Sequence, residues 1–365
     1  MLVVTGLVVG AIAARHAHYS SEVPAEIHLP QSAYVWQRNW TLAVRAAVAH
    51  PTPGLDRLEV LAGEVSDGGH AISLVGVDAG ALADAHLPVV LVVRVNGSRI
   101  DKRIALEPLL VEELELRAAG VDVRGIQIDH DSATAALGDY VSWLASVRPA
   151  GELRFSITAL PSWGADAARL ASVVDEITVQ VHAVRAPAIF DANDAWHDLA
   201  RFAQALHASR TPLRVALPTY RAVVHGDDVR AEPAQVAAFV RRLATHPIAG
   251  VNGIAWFRLP VAGDGETWSP AMFANVVATG TIDTPRAQLS LIPSGADVFD
   301  VVATNPSADD ADLPSLRVAG SLEAADLVGY RALAPGEWEA PSRSLRHDER
   351  IVIGWMRGKD LSLVQ

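Results

Sequence analysis

The chain has 365 residues, which is more than a single typical domain needs. Half of the residues are hydrophobic. Its 30 basic and 42 acidic side chains give a net charge of −12, so its field repels phosphate backbones and nucleic acid is not expected as a partner. Because the chain contains no cysteine, disulfides, thiolate zinc sites and a cysteine nucleophile are excluded.

The chain begins with an apolar stretch over residues 2–14, with small residues towards its end. This stretch is short for a membrane span but has the length of the apolar region of a secretory signal. No basic residue precedes it, so a leader without targeting meaning stays open as the alternative. We predict a leader over residues 1–30 and an extracytoplasmic location: periplasmic, secreted, or anchored by N-terminal membrane association.

Short β-branched or apolar runs then alternate with alanine-rich amphipathic stretches through residues 31–284. The predicted strands are residues 33–38, 57–62, 87–95, 123–129, 153–160, 177–182, 213–217 and 251–257. Eight strand–helix alternations in about 250 residues predict an α/β fold, a closed (β/α)8 TIM barrel. An open doubly wound sheet is the alternative, but no G-x-G-x-x-G motif follows any of these strands.

The pattern changes after residue 281. Residues 288–365 hold short strand-like runs, among them 289–292, 298–302 and 351–355, with turn-rich segments between them. We predict a small β-sandwich-like C-terminal domain over residues 288–365. A long tail without a core of its own is the alternative.

The end of the fourth predicted strand carries a pair of carboxylates. Functional side chains of a barrel collect at the C-terminal ends of its strands, and strand alternation turns Gln127, Asp129 and Asp131 to the barrel mouth. Two carboxylates this close raise the pKa of one of them, and an acid that keeps its proton near neutral pH can serve as a general acid. On spacing alone, the pair could equally cap the next helix or hold loop arginines.

Other strand ends carry polar and aromatic side chains that suit a carbohydrate. Besides Gln127, the predicted substrate-binding residues are Trp36, Trp163, Gln180, His182, Tyr220, Trp256 and Arg258. Aromatic faces stack on sugar rings, and amide, imidazole and guanidinium groups bind hydroxyls; core packing is the alternative for each tryptophan. No metal or cofactor is predicted, because the chain has no H-E-x-x-H or H-x-x-x-H pattern and no phosphate-binding loop.

Several of these segments together resemble one bacterial family, the domain of unknown function 3142. The segments are YVWQR at 34–38, GIQID at 125–129, SITALPSW at 156–163, VDE at 174–176, QVH at 180–182 and GW at 354–355. The resemblance thus covers most of the chain, and the family brings no established activity.

A more distant similarity is to the chitinases of glycoside hydrolase family 18, whose fourth strand carries D-G-x-D-x-D-x-E. Here Gly125 and Asp129 match the motif, and Asp131 stands where that family has its catalytic Glu. Arg124 and Gln127 replace two of the Asp residues. Trp256 resembles the Trp that forms the floor of the sugar site. This resemblance implies a related glycan hydrolase rather than a chitinase, because a shorter acid and a reduced charge network replace the family's own.

We therefore predict a glycoside hydrolase-like enzyme that acts on an extracytoplasmic polysaccharide. Asp131 would be the general acid, and Asp129 would position it and tune its pKa. Glu64, Asp191, Asp194 or an N-acetyl group of the substrate would supply the nucleophile or base. The alternatives are a non-catalytic glycan-binding protein with a degenerate barrel and a structural protein of the envelope.

Overall fold

The computed structural model describes residues 29–184, 188–224, 227–282, 285–307, 310–341, 343–346 and 348–364. Nearly all of the predicted leader lies outside these ranges. Within them, no helix combines the length and the apolar character needed to cross a bilayer.

The first part of the chain alternates strands and helices, as the sequence pattern predicts. In chain order the elements are β1 (Gln31–Val35), α1 (Leu42–Ala49), β2 (Leu55–Val65), β3 (Ser73–Leu74), α2 (Ala79–Asp84), β4 (Val89–Val95), α3 (Glu107–Ala118), β5 (Val123–His130), α4 (Leu137–Val147), β6 (Arg154–Ala159), α5 (Ala167–Ala171), β7 (Glu176–Gln180), α6 (Ala192–Leu206), β8 (Leu213–Pro218), β9 (Arg221–Val224), β10 (Asp227–Arg230), α7 (Pro233–Thr245), β11 (Val251–Phe257) and α8 (Pro270–Thr279).

Eight of these strands form a closed parallel barrel. Strands β1, β2, β4, β5, β6, β7, β8 and β11 pair in this order, and β1 pairs in parallel with both β2 and β11, so the sheet closes on itself. The predicted (β/α)8 barrel is therefore confirmed, and the open-sheet alternative is wrong. Short pieces decorate it: β3 extends the edge of β2, and β9 and β10 form a hairpin after β8.

The lower half of the barrel interior, near the N-terminal ends of the strands, is charged. Alternation along β2 turns Arg57 and Glu59 inward, where Arg57 Nη2 lies 2.6 Å from Oε1 of Glu59 and 2.6 Å from Oε1 of Glu176. Arg214 of β8 donates to Ser32 Oγ at 3.1 Å and lies 3.7 Å from Glu176. We call Arg57, Glu59, Glu176 and Arg214 the lower charge cluster. Its two guanidinium groups face two buried carboxylates, and Arg214 also lies 3.4 Å from the more exposed carboxylate of Asp56.

The last part of the described chain is antiparallel. Its strands are β12 (Gln288–Gly295), β13 (Val298–Thr304), β14 (Ala311–Asp312), β15 (Leu316–Leu327), β16 (Arg331–Ala334), β17 (Glu337–Glu339), β18 (Ser344–Leu345) and β19 (Arg350–Val364). Six of them form one sheet in the order β12-β13-β19-β15-β17-β16, and β14 pairs with β18. Fully buried residues such as Val301 and Met356 give this unit its own core. The predicted β-rich C-terminal unit is thus confirmed, and the tail without a core is wrong.

Candidate active site

Three neighbouring strands place ionisable side chains side by side at the barrel mouth. The register pairs Glu64 on β2 with Arg94 on β4, and Arg94 with Asp129 on β5. A bulge between Leu61 and Gly63 makes this possible, since it adds one residue to β2 and reverses the alternation beyond it. Without the bulge, Glu64 would face the helices rather than the interior.

These side chains form an ion-pair network that we call the upper charge cluster: Arg38, Glu64, Arg94, Asp129 and Asp131. Arg94 donates from Nη1 to Asp129 Oδ2 at 2.8 Å and from Nη2 to Asp131 Oδ2 at 2.7 Å. Arg38 donates to both oxygens of Glu64, at 2.8 and 2.6 Å. Two guanidinium groups thus face three carboxylates, which leaves one negative charge without a cationic counterpart inside the cluster.

The two Asp residues differ in their exposure to solvent. The side chain of Asp129 is 8% exposed, and that of Asp131 is 41% exposed. Burial raises the pKa of Asp129, against the charge of Arg94 and the hydrogen bond that Thr158 Oγ1 donates to its Oδ1 at 2.5 Å. The charge of Asp131 also raises the pKa of Asp129, but as the smallest cause. Glu64 is the opposite case, because the hydrogen bonds from Arg38 lower its pKa.

A cavity of about 280 Å³ opens beside the upper charge cluster. It is lined by Tyr34, Trp36, Arg38, Arg94, Asn96, Asp129, Asp131, Thr158, Gln180, His182, Ala216, Tyr220 and Phe257. Strands β4 and β5, with Arg38 after β1, give it a charged side, while β1, β11 and the segments that follow β7 and β8 give it an aromatic side. On the aromatic side, Trp36 packs edge-on against Phe257 at 5.1 Å between ring centroids, and His182 stacks on Phe257 at 5.6 Å.

Two polar groups on the aromatic side are neutral near neutral pH. Burial lowers the pKa of His182 to about 3, and the charge of Asp131 opposes this shift. Burial raises the pKa of Tyr220 to about 12. His182 Nδ1 lies 3.3 Å from the Tyr220 hydroxyl oxygen. Both side chains can therefore give or take hydrogen bonds without bringing a charge to the cavity.

The structure brings most of the predicted site residues together. The six predicted residues that line the cavity are Trp36, Asp129, Asp131, Gln180, His182 and Tyr220. Gln127 faces the interior as predicted, but it lies one layer below the cavity and is fully buried. Its amide accepts a hydrogen bond from the Tyr34 hydroxyl at 2.7 Å and donates to Thr178 Oγ1 at 3.4 Å. Gln127 thus supports Tyr34 from beneath rather than lining the wall.

The predictions for Trp163 and Trp256 as sugar-binding surfaces are wrong, because both side chains are fully buried away from the cavity. On β11 the inward positions belong to Ala255 and Phe257, so Trp256 points outward and packs against Phe273 of α8 at 5.5 Å. Trp163 donates from Nε1 to the backbone oxygen of Ser132 at 3.2 Å in the layer outside the barrel. Both serve the core.

Arg258 and Asp191 also lie outside the cavity lining. Arg258 is ion-paired with Asp264 at 3.1 Å and Glu266 at 2.9 Å, and it lines a separate cleft that shares Trp36 with the cavity. Asp191 caps helix α6, because its Oδ1 accepts from the backbone nitrogens of Asn193 and Asp194, both at 2.9 Å. Asp194 lies in the first turn of the same helix. Of the three carboxylates predicted as nucleophile or base, only Glu64 joins the upper charge cluster, where it stands behind the cavity lining and bonds Arg38 of that lining.

Sequence reasoning missed several lining residues, of which Arg94 matters most. Its signal was available, since one arginine interrupts the apolar run VVLVVRV of β4. A charge inside a strand that is covered on both faces calls for a buried partner. The other lining residues outside the predicted set are Tyr34, Arg38, Asn96, Thr158, Ala216 and Phe257. Among the described residues, no cluster of three or more His, Asp or Glu could hold a metal ion.

One known family matches part of this barrel. Residues 85–230 match the model of a family described as a domain of unknown function (DUF3142). The match runs from just before β4 to the end of β10, so it includes Arg94 and both Asp residues of the upper charge cluster. The resemblance predicted from the sequence is confirmed over this span. No curated protein matches the sequence.

Several solved structures are similar to this one. The spore cortex-lytic enzyme SleL of Bacillus cereus aligns with 12% identity and a TM-score of 0.47, covering 70% of this chain and 75% of that chain. A chitinase from Bacteroides thetaiotaomicron aligns with 12% identity and a TM-score of 0.49, covering 70% and 96%. The GH113 β-mannanase AaManA of Alicyclobacillus acidocaldarius aligns with 17% identity and a TM-score of 0.43, covering 64% and 87%. At these TM-scores, none of the three carries an argument about the chemistry of this chain.

Proposed function

We propose that this barrel is a glycoside hydrolase-like enzyme that cleaves a polysaccharide in the cavity beside the upper charge cluster. One observation carries the proposal: carboxylates from β2 and from the end of β5 flank Arg94 at the barrel mouth, opposite an aromatic wall. Glycosidic bond cleavage needs one carboxylic acid to protonate the leaving oxygen and a second group as nucleophile or base. The aromatic wall suits the apolar faces of sugar rings.

Asp131 is the proton donor in this proposal, because it is the more exposed of the two Asp residues and lines the cavity. Asp129 supports it from below. Burial raises the pKa of Asp129, so Asp129 is suited to take up a proton. Transfer of that proton to Asp131, whose carboxylate bonds the same guanidinium group, is part of the proposal.

Arg94 controls this availability. It bonds both Asp residues, and in that arrangement its charge lowers the pKa of Asp129 and so opposes protonation there. A substrate hydroxyl that accepts a hydrogen bond from Nη2 would compete with Asp131 for Arg94. Asp131 would then be free to carry the proton to the glycosidic oxygen. Substrate binding thus prepares the acid.

Glu64 is the proposed nucleophile or base. Arg38 lowers the pKa of Glu64 and so favours its ionised form, which is the form that a nucleophile or base needs. If the substrate carries an N-acetyl group beside the bond to be cleaved, that group takes the role of nucleophile, and Glu64 orients Arg38 and Arg94 instead.

A non-catalytic glycan-binding protein is the second candidate, and the ion pairs favour it. Each carboxylate of the upper charge cluster is bonded to an arginine in the structure. A network that keeps these pairs when a glycan binds would hold the ligand by hydrogen bonds and stacking but would leave no acid free. Measurement of products, rather than of binding, distinguishes the two candidates.

The test is to incubate the purified chain with a panel of bacterial and plant polysaccharides and to detect products by mass spectrometry. Asp131→Asn is compared with Asp122→Asn, an identical change in an exposed ion pair with Arg124 at the opposite end of β5. Products from the wild type and from Asp122→Asn, with none or few from Asp131→Asn, support hydrolysis. A glycan that binds to the wild type without being cleaved supports the binding protein and contradicts hydrolysis.

The proposal also includes an extracytoplasmic substrate, on the strength of the apolar stretch at residues 2–14. Fusion of residues 1–30 to a reporter enzyme that is active only after export tests this part alone. Reporter activity that persists when two leucines or valines of the stretch become Asp would contradict export by this segment.

A further inference from the structure

A second, smaller cavity lies where the segments after β8 meet the C-terminal unit. Its volume is about 40 Å³, enough for one small polar group. Four arginines and one Asp supply its charged lining, and we call it the arginine pocket: Arg221, Arg230, Arg343, Arg346 and Asp310. In a chain with a net charge of −12, four guanidinium groups converging on one small cavity need an explanation.

The lining itself holds one carboxylate, that of Asp310, against the four guanidinium groups, and carboxylates outside the lining pair with individual arginines. Arg230 donates to Glu232 at 2.7 Å and to Asp312 at 3.2 Å. Arg343 lies 3.6 Å from Glu349, which is too long for a good hydrogen bond. Arg346 donates from Nη2 to the backbone oxygen of Thr267 at 2.8 Å, and this acceptor carries no net charge.

The effect of this crowding is visible on the fourth arginine. Burial lowers the pKa of Arg221, and the charges of the three other arginines of the pocket lower it further, while Glu349 opposes the shift. The pocket is therefore a place where an added negative charge would relieve repulsion among its own side chains.

A hydroxyl group of the same lining adds an independent observation. Thr267 is 4% exposed, and its Oγ1 is buried without a hydrogen-bond partner among the residues that the structure describes. A buried hydroxyl without a partner costs free energy, and an oxyanion in the pocket would accept its hydrogen. Planar guanidinium groups are also the side chains best suited to bind carboxylate, phosphate or sulfate oxygens.

We propose that the arginine pocket binds the anionic group of an acidic glycan, namely a carboxylate, a phosphate ester or a sulfate ester. Tyr220 links it to the candidate active site, because this residue lines both cavities and Arg221 follows it in the chain. A glycan that extends past Tyr220 brings an acidic substituent to the arginines. The glycan part of this inference rests on the proposed function, whereas anion binding does not.

The experiment measures binding by calorimetry to the full chain. The probes are inorganic sulfate, inorganic phosphate, trigalacturonate, a sulfated chondroitin disaccharide and, as the neutral control, cellotriose. The protein variants are Arg343→Gln with Arg346→Gln, and Arg331→Gln as a matched control in an exposed ion pair with Glu339 of the same C-terminal unit. The expected result is that at least one acidic sugar binds and cellotriose binds more weakly. The affinity of the acidic sugar should fall about tenfold or more in the double variant, because bonds between charged groups are lost.

The controls separate this inference from the proposed function. Affinity for the acidic sugar should be unchanged in Arg331→Gln, and binding at the arginine pocket should persist in Asp131→Asn even if that variant, or the wild type, cleaves nothing. Equal affinity in the wild type and the double variant overturns the inference. Binding of inorganic anions with no binding of either acidic sugar overturns its glycan part.

A measurement on the wild type covers the case in which the double variant does not fold. Phenylglyoxal modifies accessible arginines, and peptide mass spectrometry reads the extent at each position. The bound acidic sugar should slow modification of Arg343 and Arg346 and leave that of Arg331 unchanged. Equal rates with and without the sugar at all three positions would contradict binding in this pocket.

Discussion

The two charge clusters inside the barrel are built from the same side chains and differ in what surrounds them. The lower charge cluster is enclosed, since its two arginines and two glutamates are at most 12% exposed. The upper charge cluster borders a cavity, and its two arginines face three carboxylates. An enclosed network holds strands together, whereas one beside a cavity can also meet a ligand. Access to the cavity, more than residue type, therefore distinguishes the two clusters, and the proposed function assigns chemistry only to the upper one.

The largest effect is expected for Asp131→Asn in the upper charge cluster. The amide keeps the shape of the side chain but cannot donate the proton, and general acid catalysis contributes about 10²–10⁴-fold. Turnover on the natural glycan should fall by this order, with little change in melting temperature. Substrates with good leaving groups should be affected less. Kinetics of the wild type, Asp131→Asn and Asp122→Asn check this, and near-normal turnover of Asp131→Asn would show that another group is the acid.

The lower charge cluster should respond in stability instead. Arg57→Met removes the partner of two buried glutamates, and breaking a buried ion pair from one side costs about 3–5 kcal/mol. Urea unfolding should show a loss of this size. The same change at Arg124, which is exposed and paired with Asp122 at the surface, should cost less than about 1 kcal/mol. Similar losses in the two variants would contradict a buried role for the lower charge cluster.

A third prediction concerns the burial of His182 in the folded chain. The pKa of His182 in the folded chain is about 3, against an ordinary value of 6.5. Above pH 6.5 neither state binds a proton at this group, but below it the unfolded chain does and the folded chain does not. Stability should therefore fall from pH 6.5 down to about pH 3, by about 2 kcal/mol at pH 5.

The free energy of unfolding is measured at pH 7 and at pH 5 for the wild type and for His182→Gln, and the change between the two pH values is compared. The variant should lose less stability between the two pH values than the wild type does. His207→Gln, a change at an exposed histidine after α6, is the matched control and should behave like the wild type. An identical pH dependence of all three would mean that His182 reaches water in the folded state.

The smallest effect concerns Trp36, which lines the cavity where Trp163 and Trp256 do not. A bound oligosaccharide should quench tryptophan fluorescence through this ring. Trp36→Phe should remove most of the quenching and weaken binding by about 1 kcal/mol, the usual size of an aromatic contact beyond its buried area. Trp355→Phe, at a partly exposed site in the C-terminal sheet, should leave both unchanged. Quenching that survives in Trp36→Phe would place the sugar elsewhere.

Sequence reasoning succeeded where alternation was regular and failed where it was not. On β5 it predicted correctly that Gln127 and Asp129 face the interior. On β11 it chose the wrong face for Trp256, because a parallel strand is covered on both sides and its hydrophobic pattern does not say which side is inward. Glu64 was only one of three candidates, since the bulge that turns it inward leaves no clear mark in the sequence.

The same limit applies to contacts between distant parts of the chain. Arg94 meets the two Asp residues only because β4 and β5 are neighbours in register. The arginine pocket joins residues that lie more than a hundred positions apart, such as Arg221 and Arg346. Periodicity predicts the elements, but closure of the barrel and docking of the C-terminal unit decide which side chains meet.

The bulge in β2 has a consequence for redesign. Below the bulge the odd-numbered Arg57 and Glu59 face the interior, and above it the even-numbered Glu64 does. The two halves of the strand are thus out of phase and can be altered separately. Hydrophobic side chains of similar volume often replace a complete buried ion network at no cost in stability. The lower charge cluster can accordingly be replaced by hydrophobic side chains while the upper charge cluster stays unchanged.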